Sequence, residues 1–138
     1  MVELLERPID IAQLYAHVQS PRFGAVVVFT GVVRQDSDEG RPVNGLTYEA
    51  YRELALAEME QIATEVHTRW DPCAVAMQHR TGTLGIGEPS VVVAVATPHR
   101  PEAFAACRYA IDELKSRVSI WKQEHLAAGQ TVWRENLH

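Results

Sequence analysis

Two lysines seven positions apart, Lys115 and Lys122, stand where the chain changes from a helical to an extended pattern. A lysine amine can serve as nucleophile, base or fixed charge, and its surroundings decide which. Other cations stand at or just past the ends of expected elements: Arg34 after a valine run, His99 and Arg100 after VVVAVA, and Arg117 beside Lys115. If Arg34, His99, Arg100, Lys115 and Lys122 converge, they form an anion pocket in an otherwise acidic chain. Arginine would grip a phosphate with its planar fork, and lysine would add compact charge. Crowding like charges around a partly desolvated lysine would lower its pKa and raise the share of free amine. Each residue also has an ordinary reading. A lysine at a helix edge is usually solvated, and a His-Arg pair ahead of a helix can be loop chemistry. The similar pair His79-Arg80 reads as structural or surface. Trp70, Trp121 and Trp133 read as core or interface residues.

The element that must position these groups is the stretch TPHRPEAFAACRYAIDELKSRVSIWKQE, residues 97–124. Pro101 suits a first helical turn, and Glu102 meets the positive end of the helix dipole. Phe104, Cys107, Ile111, Leu114 and Val118 recur at helical spacing and predict one buried face. Lys115 then lies at the edge of that face, stem packed and amine free to turn toward a cleft. Ser119 and β-branched Ile120 weaken the helix, so Ile120-Trp121-Lys122 is expected to be extended.

Upstream, Asp10 and Gln13 suit a capping box opening a short helix, with Ile11, Leu14, Tyr15 and Val18 as its apolar face. Residues 24–29 read as a strand buried on both faces. Residues 35–45, QDSDEGRPVNG, read as a mobile connecting loop, with a lid as the lesser alternative. A strand is expected over 46–51 and a long helix over 52–70, with Ala55, Met59, Ile62, Val66 and Trp70 on one face. Asp71-Pro72 stops it. Strands are expected over 74–80 and 90–96, a turn-rich link between them, and a last short strand at 131–133. Strands and helices interleave without a strict βαβ rhythm. The expected class is α+β, with a mixed or antiparallel sheet and two long helices.

The 138 residues fit a single domain, 1–138, and the net charge of −5 argues against a general nucleic-acid binder. No apolar run approaches a membrane span, and the N-terminus lacks a signal-peptide core. Cys73 and Cys107 read as reduced thiols of a cytoplasmic protein. No histidine or cysteine pair has zinc-ligand spacing, so no metal is expected. There is also no P-loop, no G-x-G-x-x-G and no G-x-S-x-G. Composition and spacing alone therefore stop at a small α+β protein with an anion site.

Five blocks go further: FTGVVR (29–34), LTYEAY (46–51), HRTGTLGIGE (79–88), TPHRPEAF (97–104) and YAIDELKSRVSIWKQE (109–124). In this order and spacing, they resemble the large, catalytic subunit of molybdopterin synthase, the MoaE family. The resemblance implies an α/β-hammerhead fold and a sulfurtransferase of molybdenum cofactor biosynthesis. The implied substrate is cyclic pyranopterin monophosphate (precursor Z). The implied sulfur donor is the C-terminal thiocarboxylate of a small ubiquitin-like partner of MoaD type. Two sulfur transfers would build the dithiolene of molybdopterin, and no cofactor is implied. The implied assembly is a homodimer of large subunits with one small subunit at each end, a heterotetramer.

Carried over by position, Lys115 and Lys122 match the family's functional lysines. Arg34, His99 and Arg100 match its anion-binding positions. Val32, Val33, Gln123 and Glu124 belong to its substrate-lining segments. Which protomer supplies each pocket residue is open. Val32 replaces a lysine of some relatives and Gln123 a basic residue, so their contacts would be through backbone or weak polar groups. The acidic 36–39 loop is expected to point away from the site. Two other classes compete: a scaffold that captures a ubiquitin-like tail without chemistry, and a regulatory domain that binds a phosphorylated metabolite. The paired lysines at family spacing argue against both.

Overall fold

In the computed structural model, the structure describes residues 1–135. Two four-stranded sheets and three helices form the α+β architecture among these residues. The first sheet holds β1 (Val2–Leu5), β4 (Ala74–Arg80), β6 (Pro89–Thr97) and β2 (Ala25–Val32), in that order. It is mixed, because β1 runs parallel to β4 and the other pairs are antiparallel. The second sheet is antiparallel, in the order β5 (Gly82–Gly85), β3 (Val43–Ala50), β7 (Ile120–Leu126), β8 (Thr131–Glu135). The helices are α1 (Ile11–Val18), α2 (Arg52–Arg69) and α3 (Arg100–Arg117).

Strand β6 shows how the core divides. Val91, Val93 and Val95 point into a cluster with α2 and α3, which includes Met59, Ile62, Cys107 and Leu114. Val92, Ala94 and Ala96 point the other way, onto Leu14 and Val18 of α1. The period-2 alternation of a strand serves both faces, so a continuous apolar run is needed here. Full burial was expected of residues 24–29 and belongs instead to 91–96. Among the described residues, strand β2 pairs with β6 alone, and its residues are half-buried or exposed.

Helix α3 keeps most of its expected face, with Cys107, Leu114 and Val118 buried and Ile111 packed against the core, but Phe104 leaves it. Phe104 is 61% exposed, and the buried residues are Ala103, Ala106, Cys107, Ala110 and Leu114. The helix lies against β2, β6 and α2 at once, and alanines permit that close three-way approach where a phenylalanine would not fit. An ion-pair lock ties α3 to α2. Arg117 reaches Glu65 at 2.7 Å and Glu113 at 3.0 Å.

Other expectations are also corrected. Asp10 precedes α1, but its side chain makes no cap bond; its backbone carbonyl accepts the Gln13 N–H at 3.1 Å. Of the predicted α1 face, Leu14 and Val18 are buried, while Ile11 and Tyr15 are exposed. The 81–89 link contains β5, paired with β3. Strand β1 had no sequence signal of its own, since four residues with an acidic member show no usable period.

Candidate functional site: a lysine cleft closed by an acidic loop

A cleft of about 360 Å³ lies between the end of β2, the second sheet and the last turn of α3. Its charged lining is balanced: Arg34, Lys115 and Lys122 against Asp36, Asp38 and Glu124. Phe29, Gly31, Val32, Leu46, Tyr48 and Ser90 complete the wall.

Each lysine reaches the cleft for a local reason. Strand β7 alternates, so Ile120, Lys122, Glu124 and Leu126 face inward, while Trp121, Gln123 and His125 are only partly covered. Lys122 is 6% exposed, lies opposite Tyr48 in register, and pairs with Asp38 at 3.1 Å. Lys115 comes from the last turn of α3, one residue after the buried Leu114. Burial lowers its pKa to about 8, the neighbouring Lys122 charge pushes the same way, and Asp38 opposes them. About a tenth of the amine is therefore unprotonated at pH 7, far more than for an ordinary lysine.

Arg34 arrives past a bulge. The β2–β6 register shifts between Gly31 and Val32. A Cβ on Gly31 would sit 2.8 Å from the Val91 side chain, so the bulge has room only for glycine. Such a bulge re-aims the following residues. Val32, half exposed, lines the cleft, whereas Val33 turns into the core at 2% exposure. Arg34 reaches Asp38 at 3.2 Å.

The 33–42 segment is an organised loop whose tip enters the site. The Ser37 N–H donates to the Arg41 carbonyl at 2.6 Å, and the Gly40 N–H to the Ser37 carbonyl at 2.9 Å. Gly40 takes φ +81°, which a glycine adopts without strain. The Ser37 hydroxyl accepts the N–H groups of Glu39 and Arg41. Glu124, 1% exposed, accepts the Asp38 N–H at 3.1 Å and also the Arg134 guanidinium. Arg134 in turn binds Glu39. The expectation that residues 36–39 point away is thus overturned. Sequence signalled only that two lysines aimed at a buried site need a counter-ion; it did not single out this loop, whose Asp38 lies 84 positions from Lys122.

Behind the cleft lies His79, fully buried and edge-on to Tyr48 with ring centres 5.0 Å apart. Its Nδ1 lies 2.8 Å from the Arg80 carbonyl, which can only accept, so Nδ1 carries the hydrogen. Burial first and the Lys115 charge second lower its pKa to about 3, so the ring is neutral. Arg80 pairs with Glu88. The structural reading of His79-Arg80 holds. Tyr48, its phenol pKa pushed up by burial, and Ser90 were not among the residues singled out as chemical.

Four predicted site residues do not join the cleft in this chain: Val33, which is turned into the core, and Gln123, His99 and Arg100. Gln123 sits on the opposite face of β7 from Lys122, as strand alternation requires. His99 and Arg100 are exposed at the start of α3. His99 lines a separate hollow with Trp70, Asp71 and Pro72. Fifteen residues of helix separate Arg100 from Lys115, about 22 Å at the helical rise.

A small α+β protein with a lysine-bearing cleft is the class that fold and site define. Comparison with known proteins narrows it. The sequence profile of the MoaE protein family matches residues 4–117. The molybdopterin synthase catalytic subunit of Nostoc sp. is 45% identical over 127 residues, 91% of this chain and 76% of that protein. Its Thermoplasma volcanium counterpart is 42% identical over 132 residues, 96% of each. Molybdopterin synthase from Staphylococcus aureus superposes with a TM-score of 0.90 at 36% identity, covering 96% of this chain and 95% of that one. The chain belongs to the MoaE family. The same fold, at 20% identity and a TM-score of 0.77, occurs in a complex of subunits 1 and 2 of molybdopterin-converting factor from Helicobacter pylori, with 97% and 90% covered. No helix among the described residues is long and apolar enough to cross a membrane.

Proposed function

We propose that this chain is the catalytic subunit of a molybdopterin synthase. It moves sulfur from the C-terminal thiocarboxylate of a small ubiquitin-like, MoaD-type subunit to cyclic pyranopterin monophosphate, forming the dithiolene of molybdopterin. The observation that carries this reading is Lys115: an amine with a pKa of about 8, beside the buried Lys122, in a cleft of the size of a small ligand. The chain's own thiols support an external sulfur source. Burial pushes the Cys107 thiol up to about 11 and raises that of Cys73, and neither lines the cleft. Neither is a ready thiolate.

In this reading the carrier's tail enters the cleft and places its thiocarboxylate near Lys115. The sulfur attacks the pterin side chain and displaces an oxygen substituent from the attacked carbon. Water then cleaves the acyl C–S bond, so the sulfur stays on the pterin and the carrier leaves as its carboxylate, while Lys115 accepts or returns the proton that moves. Lys122 and Arg34 stabilise the negative charge of substrate and tail. Val32 contributes lining. Glu124 acts through the loop and Arg134.

His99 and Arg100 fit the site only if a second copy supplies them. Strand β2 is an open edge of eight residues, rich in valine and lacking protective charge, and such edges are covered in stable proteins. Antiparallel pairing of two β2 strands about a two-fold axis reverses their ends. The Gly24 end, whose N–H bonds Pro98 at 3.2 Å, would then lie beside the Val32 end of the other copy. That brings His99 and Arg100 of one copy toward the cleft of the next. Mixing Lys115→Ala chains with Arg100→Ala chains is the check. Shared sites predict recovery of activity in the mixed dimers toward about a quarter of the native value, since random mixing leaves one intact site in half the dimers. Activity no higher than that of the separate variants would reject the shared pocket.

The reaction itself is tested by reconstitution. The chain is mixed with thiocarboxylated carrier and cyclic pyranopterin monophosphate, and dithiolene product is measured. Product is expected with the native chain. A folded chain that binds carrier yet forms none would leave the scaffold reading in front.

A further inference from the structure

The position of Asp38 has a consequence for which anions can enter the cleft. Its carboxylate meets Lys122 at 3.2 Å through Oδ1 and 3.1 Å through Oδ2. Arg34 reaches Oδ1 at 3.2 Å, and the Arg134 Nε lies 3.9 Å from Oδ2. The side chain is 13% exposed, so this carboxylate fills the cationic centre of the cleft. The backbone places it there. The Asp38 N–H is held by buried Glu124, the turn closes through Ser37 and Gly40, and Asp36 bridges to Pro42 behind it. The charged groups that face this centre are Arg34, Asp36 and Glu39 from the loop, Lys115 from α3, Lys122 and Glu124 from β7, and Arg134 from β8.

We propose that Asp38 is a specificity-determining residue, a resident counter-ion that keeps small free anions out of the cleft. An entering anion must replace its carboxylate on Lys122 and Arg34. Inorganic phosphate brings only its charge to that exchange and gains little, because it trades one ion pair for another. An anion carried on a larger ligand adds contacts along the cleft wall, with Phe29, Val32, Leu46 and Tyr48 among them, and these tip the exchange. Discrimination thus comes from an element that works against the wrong ligand as well as from attraction to the right one. This builds on the proposed function only in naming what the larger ligand would be. The block on free anions is a property of the chain alone.

The test uses the chain without carrier or pterin, titrated with inorganic phosphate at low ionic strength and followed by calorimetry and by amide and side-chain NMR. Native protein is expected to bind phosphate only at high millimolar concentration. Asp38→Asn keeps the side-chain shape and the N–H bonded to Glu124, and is expected to bind at least about tenfold more tightly, as removing one close opposing charge implies. Asp38→Glu should stay near the native value. Glu39→Gln adds the same unit of charge at an exposed neighbour and should gain far less. Equal phosphate affinity for native, Asp38→Asn and Glu39→Gln would overturn the proposal. So would equal gains from Asp38→Asn and Glu39→Gln, which would reduce the effect to net charge.

A second measurement needs no variant, should Asp38→Asn disturb the loop. In the native chain, the ¹³C resonance of the Asp38 carboxylate must follow the same phosphate isotherm as the Lys122 methylene beside its amine, because one anion replaces the other. A Lys122 response with Asp38 unmoved would overturn the exchange. None of these readouts depends on turnover, so failure here is distinguishable from absence of product in the reconstitution.

Discussion

Lys115→Ala is expected to lower dithiolene formation by at least about 10²-fold, the range for loss of a positioned proton-transfer group, while carrier binding survives. The amine has a pKa of about 8, close to working pH, where a proton carrier is most effective. Removing it takes away this amine while Lys122 and Arg34 remain to hold anions. Lys115→Arg keeps the charge and loses the titration, so it should bind carrier and remain slow. Native activity should rise with pH through about 8 if the free amine is the active form. Activity flat from pH 6.5 to 9, or Lys115→Arg turning over at the native rate, would remove Lys115 from proton transfer.

Replacing the same lysine should change stability in the direction opposite to its effect on activity. Its pKa is lowered by folding, from 10.5 to about 8, so the folded chain holds fewer protons than the unfolded chain between those values. Stability therefore rises with pH across that window and is penalised below it. Lys115→Met should then melt higher than the native chain at pH 7, and its advantage should shrink as pH climbs from 8 toward 10.5. A variant that gains stability while losing activity separates a group kept for chemistry from one kept for the fold.

The second large effect is expected at Glu124. Its carboxylate is almost wholly buried and holds both the Asp38 N–H and the Arg134 guanidinium. Glu124→Ala removes one partner of a buried ion pair and leaves the others unmatched, a loss of about 3–5 kcal/mol in comparable buried pairs. Arg134 also binds exposed Glu39 and is itself about a quarter exposed, which places the expectation toward the lower figure. Thermal or urea unfolding would measure it, and amide exchange over residues 36–42 should speed up with it. Glu124→Gln preserves the shape and an acceptor oxygen and should recover part of the loss. A Glu124→Ala chain as stable as the native one, with the loop still protected, would show that Ser37 and Gly40 suffice to hold the loop.

Much of this protein was determined by sequence acting over short range. Pro101 and Glu102 open α3, Asp71-Pro72 closes α2, and the switch at Ser119-Ile120 turns helix into strand; these depend on backbone geometry within a few residues. The turn from α3 into β7 thus already placed Lys115 and Lys122 on adjoining elements, and strand alternation then set Lys122 and Glu124 inward and Gln123 aside. The tertiary structure decided what periodicity is blind to. Phe104 and Leu114 repeat alike, yet only packing against β6 and α2 buries the second and exposes the first. Residues 24–29 and 91–96 are both valine-rich, and only sheet order makes one an edge and the other the centre. The same limit explains Asp38. Its side chain meets a lysine 84 positions away, and such a pairing is chosen by the electrostatic demand of a buried amine, which becomes local only once the chain has folded.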